Sequence, residues 1–166
     1  MTQEPWLRGP LPGFHPLLQP VAHALTQSLE DVKAIAGDLP EEFLWVKPAG
    51  RASAGFHLQH ISGVLDRMMT YARGEKLDEA QLDELSDEGH PFRDITKEQL
   101  VALYETRIAA FFEQLKNTPE NSFTEERGVG RRELPSTVIG LLFHAAEHVQ
   151  RHTGQLLVTA SVVGER

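Results

Sequence analysis

At 166 residues with 40% hydrophobic side chains, the chain holds enough material for one domain with a real core and too little for two. Eight histidines stand against no cysteines, which excludes disulfides, thiolate zinc fingers and cysteine-held iron–sulfur clusters and leaves imidazole and carboxylate as the available metal ligands. A formal charge of −8, from 24 acidic against 16 basic residues, argues against nucleic-acid binding, which depends on cations neutralising phosphates.

Residues 1–14 carry Pro5, Pro10, Pro12 and Gly13 and read as an irregular arm. They lack the apolar stretch after a basic start that marks a secretory leader, and no run elsewhere is long enough to span a bilayer, so no membrane contact and a cytoplasmic location are expected. A first helix is predicted from about 15–18 to 36, with Leu18, Leu25, Leu29, Val32 and Ile35 on its apolar face. Pro20 falls near its first turn, where the missing N–H costs little, and Gly37 and Pro40 stop it. A connector with Trp45 and Pro48 leads to Ser53, a natural N-cap for a second helix that carries Phe56, Ile61, Val64, Leu65, Met68 and Ala72 and closes at Gly74.

Residues 75–95 are strongly acidic and include Pro91, so they predict a long connection with one short helix over 79–86. Thr96 and Gln99 form a capping box, and Ile95 and Leu100 occupy the positions of a hydrophobic staple, which starts a third helix at 96 and carries it to about 116. After the Pro-, Asn- and Gly-bearing stretch 117–130, Pro135 suits the first turn of a fourth helix reaching about 160. No strand is required. The expected fold is all-α: a four-helix bundle over 15–163, with a long connection between helices two and three that permits a crossover.

Helix four contains His144-Ala-Ala-Glu-His148-Val-Gln-Arg-His152, three histidines at successive i, i+4 spacing. Taking roughly 100° per residue, the stripe of Val138, Leu141, Ala145, Val149 and Leu156 has a centre from which His152 lies about 40°, His148 about 80° and His144 about 120°. His148 and His152 are thus the inward pair, and such a pair can chelate one ion. A third ligand must come from a facing helix, and helix two offers His57 and His60. Its wheel favours His57, at the centre of the apolar stripe, over His60 at the edge. His15, His23 and His90 read as ordinary packed or solvated histidines.

The segments Ser53-Ala54-Gly55-Phe56-His57-Leu58-Gln59-His60-Ile61 and His144-Ala145-Ala146-Glu147-His148-Val149-Gln150-Arg151-His152-Thr153-Gly154-Gln155 resemble the DinB-like (YfiT-like) superfamily of bacterial four-helix-bundle metalloproteins. The resemblance covers most of the chain and implies His60, His148 and His152 as ligands of one divalent transition-metal ion, zinc or nickel first. Arg151 stands where the family often has a histidine, a change to the rim of the site and not to its ligands. The family further implies a metal-dependent hydrolase or a low-molecular-weight thiol S-transferase; a small-molecule substrate, a thiol among the options, and a homodimer are separate expectations. Three protein ligands leave room for water or substrate on the ion.

The sequence names no general base. Glu147, Asp66 and Gln155 are close enough in sequence to support the ligands, although a solvated face is the plainer reading of Glu147 and Asp66. Two other classes stand beside the enzyme: a non-catalytic bundle, a stress-linked or dimer-forming module in which the histidines are vestigial or an ion only staples helices, and a phosphotransfer bundle using an exposed histidine such as His144. The second leaves the pairing of His148 with His152 unexplained.

Overall fold

A computed structural model describes residues 3–91 and 95–164. It is mostly helical. Four long helices, α1 (Gln19–Asp38), α2 (Ala54–Ala72), α4 (Lys97–Asn117) and α5 (Val138–Gly164), are joined by a short α3 (Glu79–Asp87) and a two-stranded sheet, β1 (Glu126–Val129) and β2 (Leu134–Thr137). Residues 92–94 of the expected long connection lie outside the described residues.

Local chemistry sets the helix starts. Ser53 Oγ accepts the Phe56 N–H at 3.1 Å, and Thr96 and Gln99 close the capping box expected of them. A second box, Asp78 with Gln81, starts α3, which runs one residue past the expected 86. A single 3₁₀ turn, Pro16–Leu18, leads into α1, and Pro20 stands in its first turn. The N-terminal arm is irregular but fastened to α1: the Arg8 guanidinium meets Glu30 at 2.5 and 2.7 Å, and His23 Nε2 lies 3.0 Å from the Gly9 carbonyl.

The sheet corrects one expectation. Pro135 does not open the last helix but sits in β2 opposite Gly128, in an antiparallel pair whose register joins Val129 to Leu134. A proline without an N–H is tolerated in a two-stranded edge as readily as in a first helical turn. The helix begins instead at Val138, after Thr137, whose Oγ1 accepts the Gly140 N–H at 3.1 Å. The Val138 and Ile139 amides donate to the carbonyls of Glu125 and Phe123, so the first turn of α5 leaves few orphan donors.

Each of α1 and α2 packs against both α4 and α5. Between them lie Leu25 and Val32 of α1, Leu58, Ile61 and Leu65 of α2, Tyr104, Ile108 and Phe111 of α4, and Leu142, Val149 and Leu156 of α5, all buried. A polar cluster interrupts this core: Ser28 Oγ lies 2.7 Å from both Tyr104 OH and Thr153 Oγ1, which ties α1, α4 and α5 at the residue after His152. The connector before α2 folds back over it. Gly55 donates its N–H to the Leu44 carbonyl at 2.8 Å, and the Trp45 ring seats so closely that a Cβ on Gly55 would meet it at 2.6 Å. No helix among the described residues is long and apolar enough to cross a membrane.

Candidate metal centre

The direct packing of α2 on α5 brings their histidines face to face. His60, His148 and His152 converge so that one ring nitrogen from each lies within 4.8 Å of the others. Nε2 of His60 lies 2.9 Å from Nε2 of His148. Four-coordinate zinc holds its nitrogens roughly 3.4 Å apart, so the triad stands close to the span that an ion requires. All three residues are half-buried, and the Phe56 ring stacks on His60 with centroids 5.2 Å apart and planes inclined by 13°.

Two of the three rings have a further polar partner outside the triad. His60 Nδ1 lies 2.5 Å from Glu88 Oε2, and the other carboxylate oxygen is 2.8 Å from Arg67 Nη1 in a charge contact rather than an aligned hydrogen bond. His152 Nδ1 lies 3.0 Å from His57 Nδ1. His148 Nδ1 is buried without a hydrogen-bond partner among the described residues. Metal-binding histidines are usually held by a carboxylate, carbonyl or water on the second nitrogen, so His60 has that oriented form, whereas His152 leans on a second imidazole and His148 relies on packing.

Burial and neighbouring charge favour the neutral rings of His148 and His152, the form that ligation needs. Burial, then the neighbouring His60, pushes His57 down to about 4, and burial followed by His60, His148, His57 and Arg151 pushes His152 down to about 3. Burial first, then His60, lowers His148 as well. Neutral imidazoles with nitrogen lone pairs and no thiolate make a donor set suited to zinc, nickel, copper or iron and poorly suited to magnesium or calcium, which take oxygen. The residues present therefore fit a transition-metal ion.

His57, the favourite of the helical wheel, is 4% exposed and stands outside the triad, against the ring of His152. His144 is about half exposed, with Nδ1 2.8 Å from Glu147 Oε1, and Glu147 also meets Arg151 at 2.8 Å. With Glu147 and His148 it makes a second, more exposed group whose ligand atoms lie within 4.8 Å of one another. Asp66 is engaged by Gln81 and Arg107 and not by a histidine. Gln155 lines an open cleft of about 710 Å³ beside His57 and His152. Glu88 escaped the sequence reading: it lies in the acidic connection, where nothing local sets it apart from its neighbours.

No protein of curated function matches the chain. The model of the DinB superfamily matches residues 24–156, a span that includes all of α2, α5 as far as Leu156 and all three converging histidines, and the chain therefore belongs to the DinB superfamily.

Proposed function

We propose that His60, His148 and His152 hold one divalent transition-metal ion, zinc or nickel first, and that the protein is a metal-dependent hydrolase or a low-molecular-weight thiol S-transferase. The convergence of three imidazoles from two facing helices carries this reading, because the group contains three ligands and a catalytic ion needs a fourth position free. Membership of a superfamily that is commonly metal-binding supports it. The four long helices read as a four-helix bundle, an architecture that builds metal sites from side chains on facing helices.

An ion held there supplies Lewis acidity, making water or a thiol acidic enough to react near neutral pH. The chain's own residues do the rest. Glu88 and His57 hold the rings of His60 and His152, Phe56 shields His60 from water, and the cleft beside His57 and His152 gives a small substrate room to approach.

Elemental analysis of protein purified without an affinity tag tests the first half: about one transition-metal ion per chain is expected of a single three-imidazole site. Protein soaked in zinc and desalted that keeps no stoichiometric metal overturns it. Cobalt substitution tests the second half, since an added thiol or small anion should enter the coordination sphere and change the visible absorption. A cobalt spectrum that no thiol or anion perturbs transfers the site to the non-catalytic class.

A further inference from the structure

We infer that Glu88 is the positioning residue that decides which nitrogen of His60 faces the ion; this inference rests on the three-histidine reading above. Glu88 comes from the connection after α3, not from the histidine motifs, and its side chain is only 8% exposed. One oxygen lies 2.5 Å from His60 Nδ1 and the other 2.8 Å from Nη1 of Arg67, itself 8% exposed.

An ionised carboxylate can only accept hydrogen bonds, so the proton between it and His60 belongs on Nδ1. A neutral His60 protonated there presents Nε2 as a bare lone pair, and Nε2 is the atom that faces His148 at 2.9 Å. A buried carboxylate needs a countercharge, and Arg67, on the same helix as His60, supplies it. The pocket for this pair exists because residue 63 is glycine: a Cβ there would lie 2.5 Å from Arg67 Nη1 and 2.7 Å from Glu88 Oε1.

A plain structural pin, fastening the connection to α2, would need only a polar residue that fits. The tautomer role needs acceptors at both ends. A carboxamide at position 88 has one acceptor and one donor. Turned with its NH₂ toward Arg67, it sets a donor against a cation. Turned the other way, it makes Nδ1 of His60 an acceptor and moves the proton to Nε2, the nitrogen required for ligation.

Two measurements on the full chain separate these roles. Zinc competition against a chromophoric chelator should give Glu88→Gln an affinity about 10–100-fold below that of the natural chain, and its metal-free thermal midpoint should fall because the buried Arg67 loses its countercharge. Histidine-ring ¹⁵N NMR of the metal-free natural chain at mildly alkaline pH should find His60 protonated on Nδ1, and Glu88→Gln should lose that signature. A natural chain that binds zinc no more tightly than Glu88→Gln, or a His60 protonated on Nε2, overturns the inference. A natural chain that binds no zinc overturns the three-histidine reading instead, and the tautomer measurement still decides the role of Glu88.

Discussion

His57 and His60 lie three residues apart on α2 and meet different neighbours. The helical wheel ranks by depth, and by depth His57 wins, since it is almost fully buried and packs its Nδ1 against that of His152. Depth is the wrong criterion where the facing pair sits at the edge of its own apolar stripe. Side chains on two such helices meet where the edges meet, and His60 is the α2 histidine that reaches His148. Removing His60, His148 or His152 as Ala should therefore cost more zinc affinity than the roughly 10–100-fold typical of losing an orienting partner, while His57→Ala should fall within that range. His144→Ala, at a half-exposed ring bonded to Glu147, should leave affinity close to that of the natural chain. Competition titrations of the five variants check this ranking, and equal losses at His144 and His148 would move the ion toward the outer group of His144, Glu147 and His148.

Elements were legible wherever one short stretch of chain contains the whole cause. Ser53 caps α2 and the Thr96–Gln99 box caps α4 because donor and acceptor are three residues apart. Pro135 was ambiguous for the same local reason, since a first helical turn and an edge strand both tolerate a missing N–H, and only the pairing of β2 with β1 decides between them. The contact of Glu88 with His60 spans 28 residues and depends on how the chain returns from α3, so no spacing rule could announce it. Gly55 is a further case. Its sequence context says only helix start, whereas the structure presses Trp45 against it. Gly55→Ala should destabilise the fold by about 1–3 kcal/mol through overpacking. Gly37→Ala, near the end of α1 with open space around its would-be Cβ, should be neutral or stabilise by up to about 1 kcal/mol. Urea unfolding of the two variants compares them directly, and equal effects would mean that the Trp45 seat relaxes at no cost.

At the scale of the whole molecule, the candidate centre joins parts that are remote in sequence. The histidines bridge α2 and α5, Glu88 adds the connection after α3, and the Ser28, Tyr104 and Thr153 cluster fastens α1 and α4 to α5 one residue beyond His152. An unfolded chain cannot present three rings in this arrangement, so an ion bound there favours the folded state by mass action. At about a hundred times the dissociation constant, the gain is about 2.7 kcal/mol. For a domain of this size each kcal/mol moves the thermal midpoint by about 2–4 °C, so saturating zinc should raise it by roughly 5–10 °C and a chelator should reverse the shift. The net charge of −8 supplies a rival explanation, because any divalent cation screens an acidic surface. Magnesium separates the two: it screens as zinc does but has little affinity for imidazole. A zinc shift that magnesium does not reproduce and His148→Ala abolishes assigns the stabilisation to the histidine centre. Equal shifts from both cations, or a zinc shift that survives in His148→Ala, assign it to the acidic surface.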